Sequence, residues 1–146
     1  MRIFDATGGD AELLHDVQAR SLLADPRISR IVPLEDVASI RHSTRLCVCL
    51  IAEHRGVALG AIRAQDRGGL VYIDALWVPR TAKHASLRAL LLLALEARFP
   101  INRIYQVRAF HGDPQCYRAY GMAGYTLAYE DEREDGLLLR LYEKTT

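Results

Sequence analysis

The spacing of apolar positions changes several times along the chain, and each change marks a predicted element. Ile3 and Phe4, within Met1 to Thr7, give a first strand. Asp10 is placed as an N-cap, with Glu12 and Asp16 complementing the early helix dipole. Leu13, Leu14, Val17 and Ser21 then follow one helical face until Asp25-Pro26, where proline ends the run. Leu34, Val37 and Ile40 lie about three apart and predict a shorter helix over Leu34 to His42.

From Leu46 the period shortens. Leu46 to Ala52 is a continuous apolar run suited to a buried strand. His54-Arg55-Gly56 turns the chain into a second arm, Val57 to Gln65, and Asp66 to Gly69 turns it again into Leu70 to Val78. Thr81 to Phe99 is the strongest helical pattern. Leu87, Leu90, Leu91 and Ala94 line one face, and Leu92, Leu93 and Leu95 widen the stripe almost all round, so this helix should pack across a sheet. Pro100 stops it.

Ile104 to Phe110 reads as a strand, and Asp113-Pro114 opens a short helix that ends at Gly121 as a left-handed cap. Tyr125 to Tyr129 and Leu137 to Tyr142 are closing strands around an acidic turn, Glu130 to Asp135. The predicted fold class is α/β (α+β), one domain over 1–146. It has a mixed, mostly antiparallel sheet of six to seven strands, with helices on both faces.

Composition narrows the function classes. A chain of 146 residues buries a core without metal or disulfide staples. Its formal charge of +1 gives no general attraction to nucleic acid or to anionic membranes. Cys47, Cys49 and Cys116 show neither zinc nor redox spacing, and the first two read as small buried hydrophobes on one strand face. His15, His42 and His54 likewise lack metal spacing, so no metal is expected. The opening MRIFDATGGD contains no signal-peptide core, and Leu87 to Leu95 is too short to cross a bilayer. Cytoplasm is the expected location.

The element order and two local patterns resemble the GNAT superfamily of N-acyltransferases over nearly the whole chain. One pattern is the strand ending Leu76-Trp77-Val78 ahead of the Leu-rich helix. The other is Tyr117-Arg118-Ala119-Tyr120-Gly121-Met122, which is similar to the family's Tyr-x-x-x-Gly-Phe. The resemblance implies acetyl-CoA as acyl donor, with its pyrophosphate on an Arg/Gln-x-x-Gly-x-Gly/Ala loop at the helix N-terminus. This chain departs from that loop. One register aligns Lys83, His84, Ser86 and Arg88 with it, and the other aligns Ala82, Lys83, Ala85 and Leu87; neither contains a glycine. Each Cβ there limits the approach of a phosphate, and the cations Arg80, Lys83 and Arg88 compensate by direct charge-assisted bonds.

The same resemblance assigns the developing oxyanion to a backbone N–H near Leu76 to Val78, where a pantetheine arm would add like a further strand. Protonation of the leaving thiolate falls to Tyr117. Two bases remain open. Asp74 shares strand parity with Tyr72 and Leu76, so the three should face one side of the sheet. His111 follows the Ile104–Phe110 strand, and its ordinary pKa lies near ~6.5. An amine can also lose its proton to solvent before binding. Trp77, of opposite parity to Leu76, should be core.

The expected acceptor is an amine, either a small molecule or a protein amino group. The late strands could pair between subunits of a homodimer. A second expectation is a catalytically silent GNAT-like domain that binds acyl-CoA or serves as a protein-interaction module, which the missing glycines favour. A nucleic-acid-binding domain finds no support in the balanced charge.

Overall fold

The computed structural model describes residues 1–80, 84–110, 114–133 and 138–146. Seven strands form one sheet in the order β1-β2-β3-β4-β5-β7-β6. They are β1 Arg2–Asp5, β2 Val48–His54, β3 Val57–Arg67, β4 Leu70–Trp77, β5 Ile104–Ala109, β6 Thr126–Glu132 and β7 Leu138–Thr145. Only the β4–β5 pair is parallel, joined by a helical crossover; every other neighbouring pair is antiparallel. The mixed, mostly antiparallel sheet expected from the sequence is therefore present. Among the described residues no helix is long and apolar enough to cross a membrane.

Helices cover both faces. On one side α1 (Ala11–Leu23) and α3 (Val37–Leu46) bury Ala11, Leu14, Val17 and Ile40 against Ile51, Ala61 and Trp77. On the other, α4 (His84–Glu96) and α5 (Pro114–Met122) bury Leu91, Leu92, Leu95 and Tyr120 against Leu50, Ile62, Val71 and Ile73. Each fully buried leucine of α4 contributes about 1.5–3 kcal/mol relative to exposure. A close approach sets how α4 sits: a methyl on Gly60 would lie 3.0 Å from Val78 Cγ2 and 3.2 Å from Leu91 Cδ1.

Several boundaries differ from the sequence expectations, each for a local reason. Asp10 does not cap α1 through its side chain; its carboxylate accepts from the Thr7 N–H at 2.8 Å and closes a 3-10 turn, Gly8–Asp10. Pro26, expected only as a stop, also opens the short helix α2, Pro26–Ser29. The second long helix starts at Val37 rather than Leu34, because Asp36 is its N-cap and accepts from Ser39 N–H at 2.7 Å. It runs on to Leu46, which is 71% exposed rather than the first residue of a buried strand.

Gly121 lies within α5. The left-handed residue is Gly124 (φ +87°), behind which Tyr125 N–H donates to Tyr120 C=O at 2.8 Å. Glu130 to Glu132, expected in a turn, belong to β6, where Glu130 pairs with Arg140 of β7 at 2.7 Å. The end of that acidic segment, residues 134 and 135, lies outside the described residues, as do 81–83, 111–113 and 136–137.

The deviation with most consequence is in β4. Arg63 pairs with Ala75 and Ala64 with Ile73, so Asp74 is an extra residue, a β-bulge. The bulge exchanges the faces of the strand. Val71 and Ile73 pack toward α4, whereas Ala75 and Trp77 pack toward α1 and α3. Asp74 and Leu76 therefore do not share a face, and the parity expected over Tyr72, Asp74 and Leu76 holds only up to the bulge. Trp77 is core, as expected.

Candidate active site

The bulge opens the sheet. Pairing between β4 and β5 runs from Leu70↔Ile104 to Ile73↔Val107 and goes no further, although β4 continues to Trp77 and β5 to Ala109. Beyond Ile73 the two strands diverge, and β4 keeps one edge without a strand partner. Which groups project from that edge follows from Gly60 on β3: the Trp77 carbonyl oxygen lies 3.2 Å from where a Gly60 Cβ would be, so it points toward β3. Directions alternate along a strand, so the N–H and C=O groups of Leu76 and Val78 face the open side.

Two adjoining cavities follow this edge. The larger, about 190 Å³, lies between the diverging strands and is walled by Tyr72, Asp74, Leu76, Val107, Phe110 and Tyr120. The smaller, about 70 Å³, continues past Leu76 to Val78, Arg80 and Arg88. Leu22 and Ile28, from α1 and α2, wall both, as do Leu76 and Trp77. The result is a cleft along β4, broad near the bulge, where Asp74 and Arg108 interrupt the apolar wall, and narrow toward the start of α4, where Arg80, Arg88 and Asp25 border it.

Arg88 is the unusual member of the narrow end. It is 3% exposed, and its terminal nitrogens reach Leu76 C=O and Val78 C=O at 3.4 Å each, while its Nε has no partner. No carboxylate among the described residues pairs with it.

On the α1/α3 side of the sheet lies a polar network that the sequence did not disclose. Arg63 Nε donates to Asp74 Oδ1 at 2.9 Å, and its two terminal nitrogens grip Glu35 at 2.9 and 3.1 Å. The guanidinium also reaches Ser43 Oγ at 3.3 Å and lies over the Trp77 ring at 5.3 Å. Gln18 donates to Glu35 at 2.9 Å and accepts from the Glu35 N–H at 3.1 Å. Burial alone would lower the Arg63 pKa, but the hydrogen bonds it donates to Glu35 and Asp74, together with their charges, outweigh that and hold it above its ordinary value. The available signal was an arginine inside the apolar run Val57 to Gln65, at a position alternating with core residues.

The candidate residues are thus distributed unevenly. Leu76, Trp77, Val78, Arg88 and Asp74 come together at the cleft. Asp74 arrives there with both oxygens engaged, since Gln65 Nε2 donates to Oδ2 at 3.0 Å. Ala85 is buried at the start of α4, of which His84 is the first residue. Ser86 and Leu87 line a separate, apolar groove with Met1, Leu59 and Leu90. Lys83 and His111 lie outside the described residues.

Tyr117 packs beneath the Arg140 guanidinium, 4.0 Å from its ring centroid, and against Tyr142. It borders neither cavity; Tyr120, stacked on Tyr142 at 4.3 Å, lines the larger one. Cys49 is buried and Cys47 half-buried, and burial raises both thiol pKa values, that of Cys49 to about 12.

No family model matches the sequence, and no curated protein sequence is similar to it. Solved structures are similar in three dimensions. The acetyltransferase of the GNAT family from Streptococcus pneumoniae matches with a TM-score of 0.80 and 18% identity over 99% of each chain. The ribosomal-protein-alanine N-acetyltransferase from Brucella melitensis matches with a TM-score of 0.75 and 16% identity over 100% of both chains. The PaiA N-acetyltransferase from Thermoplasma acidophilum, solved in complex with coenzyme A, matches with a TM-score of 0.69 and 16% identity over 100% of both. At such identity the likeness is one of architecture, and the fold of this chain is that of the GNAT acetyltransferases.

Proposed function

We propose that the chain is an N-acetyltransferase that moves an acetyl group from acetyl-CoA directly to an amine held in the same cleft. The observation that carries this reading is the free edge of β4 beyond the Asp74 bulge, which presents the backbone groups of Leu76 and Val78 to an elongated cleft. A pantetheine arm has alternating amide donors and acceptors and suits such an edge as an added strand. At the narrow end Arg80 and Arg88 border the cleft beside Asp25, and these two arginines are the candidate partners of the ligand's phosphates.

In the reaction the amine nitrogen attacks the thioester carbonyl, an N–C bond forms, the C–S bond breaks, and the sulfur leaves as a thiolate. The Leu76 N–H is the candidate donor to the carbonyl oxygen as it takes up charge, and one such donor contributes about 3 kcal/mol. The thiolate takes its proton from a phenol of α5. The Tyr-x-x-x-Gly pattern points to Tyr117 for that proton, and Tyr120, the α5 phenol that lines the larger cavity, is the alternative donor.

Asp74 is a poor primary base, because Arg63 and Gln65 already use both of its oxygens. It remains positioned to accept a hydrogen bond from an incoming amine, and the amine's proton leaves to solvent. The acceptor is a small molecule or a protein amino group, and the setting is the cytoplasm. The silent-domain alternative draws on one observation, the Arg88 side chain across the β4 edge.

A thermal-unfolding titration separates the two. At a hundred times its dissociation constant acetyl-CoA stabilises by about 2.7 kcal/mol, several degrees for a chain of this size. CoA release from acetyl-CoA with a panel of amines then tests turnover. Absence of both a shift and any release would defeat the proposal.

A further inference from the structure

Asp74 and Arg108 are the charged residues in the wall of the broad end of the cleft, and they differ in state. Asp74 is compensated, since Arg63 and Gln65 donate to its two oxygens. Arg108, on β5, is exposed, and its side chain makes no hydrogen bond or ion pair with another described residue. Its guanidinium stands 6.0 Å from the Tyr72 ring centroid. The carboxylates further along the sheet do not reach it: Glu143 on β7 is held by Gln106 Nε2 at 2.9 Å, and Asp131 lies on β6, beyond β7.

The aromatic walls carry more positive charge. Tyr72 also has Arg67 over its ring at 4.6 Å, and Phe110 has Arg133 at 5.8 Å. Among the described residues, the guanidiniums of Arg67, Arg108 and Arg133 thus stand against two rings of the cavity wall. An acceptor with positive charge alone would enter this end against those cations, with the carboxylate of the wall already engaged. An acceptor that brings its own carboxylate avoids that repulsion, because the anion can pair with the fork of Arg108.

We propose that the acceptor is a small aminocarboxylate, with amine and carboxylate on one molecule, and that Arg108 binds the carboxylate. The proposal rests on the acetyltransferase reading and names the acceptor class within it. The strand register places the two ends of the molecule. Val107 is the last residue paired with β4, opposite Ile73, so Arg108 and Asp74 are the next positions on either side of the opening. Paired strands lie about 4.8 Å apart, and the gap widens here. A short molecule spans it, with its amine toward Asp74 and the β4 edge and its carboxylate on Arg108. The carboxylate forms and breaks no bond; it fixes the nitrogen for attack on the thioester. The cavity of about 190 Å³ is smaller than the roughly 300–1,000 Å³ of pockets for drug-sized ligands, which also favours a small acceptor.

CoA release from acetyl-CoA by the full chain tests this, with the standard free amino acids, their carboxamides and the diamine putrescine as acceptors. Expressed per unprotonated amine, kcat/KM of wild type should favour the best amino acid over its carboxamide by about tenfold or more. In Arg108→Gln the preference should fall to about twofold, and Arg108→Lys should keep about threefold to fivefold. Arg108→Glu should reverse the order and favour putrescine, a change that a merely structural role would not produce.

Equal or faster release with carboxamides or putrescine than with every amino acid overturns the acceptor class and leaves the acetyltransferase reading in place. The same holds if a peptide with an acidic first residue outruns every free amino acid, or if acetyl-CoA binds and no amino acid accepts. A preference that persists unchanged in Arg108→Gln and Arg108→Glu overturns the role of Arg108. Wild type that neither binds acetyl-CoA in calorimetry nor releases CoA with any acceptor overturns the acetyltransferase reading, and this proposal with it.

Discussion

Removing the Arg63 guanidinium is expected to destabilise the protein more than any other single charge deletion among the described ion pairs. Arg63 is 9% exposed and bridges Glu35, from the segment before α3, to Asp74 at the bulge, with Ser43 and Trp77 completing its surroundings. Arg63→Met preserves much of the volume but leaves two carboxylates without their shared cation. Breaking a fully buried pair in this way costs about 3–5 kcal/mol. Here the Glu35 and Asp74 side chains are 30% and 18% exposed, and Glu35 keeps its bonds with Gln18, so solvent and the amide recover part of the loss. A cost of about 2–4 kcal/mol follows.

Urea unfolding at neutral pH measures it, as a fall in midpoint at unchanged slope. The diagnostic step is rescue. Adding Glu35→Gln and Asp74→Asn to Arg63→Met removes the stranded charges and should restore at least half the loss, even though every ion pair is gone. A variant Arg63→Met within about 0.5 kcal/mol of wild type would refute the reasoning, because it would mean that the carboxylates are solvated well enough to need no partner. A loss that the triple variant does not recover would move the cause from charge to packing against Trp77.

Gly60→Ala should cost about 1–3 kcal/mol by overpacking, because the new methyl meets Val78 Cγ2 at 3.0 Å and the Trp77 carbonyl oxygen at 3.2 Å, and the latter is backbone. Since Val78 forms the cofactor edge, acetyl-CoA affinity measured by calorimetry should fall with stability. Tyr117→Phe should lower turnover about 100-fold while leaving acetyl-CoA binding intact; an unchanged rate, with the loss appearing in Tyr120→Phe, would transfer the acid role to the tyrosine that lines the cleft. Burial raises the Cys49 pKa from 9.0 to about 12, so the folded state retains the thiol proton longer than the unfolded chain does. Its contribution is complete below pH 9 and is lost as pH rises toward the folded value, about 2 kcal/mol by pH 10.5. Cys49→Ala should flatten that alkaline decline in urea stability; a slope identical to wild type would exclude the thiol as its source.

The sequence disclosed the sheet because its apolar periods are long and uninterrupted: β2, β3, β4 and the helix α4 all overlap the spans that the spacing predicts, with β2 shifted by two residues. It missed the ends of elements that side-chain bonds decide. Asp36 moved the start of α3 by capping it, and Glu130 stayed in a strand because Arg140 faces it across the ladder. Those choices depend on partners that no local window contains. The Leu76-Trp77-Val78 edge was legible as a pattern, while the network of Gln18, Glu35, Arg63 and Asp74 was not, since its members are up to 56 positions apart and meet only after the sheet forms.

The bulge at Asp74 underlies both the change of face along β4 and the open edge beside β5. A period-2 count through Leu70 to Val78 puts Asp74 and Leu76 on one face, and one inserted residue defeats that count for every position beyond it. The same insertion turns Trp77 into the core beneath Arg63, ends the pairing with β5 at Ile73, and leaves the edge of Leu76 and Val78 open. Asp74 is held at the bulge by Arg63 and Gln65, both from β3, so the buried network and the open edge are two sides of one local structure. Substitutions that relax the network should therefore alter binding at the edge without touching it, and Arg63→Met should weaken acetyl-CoA binding beyond what its loss of global stability explains.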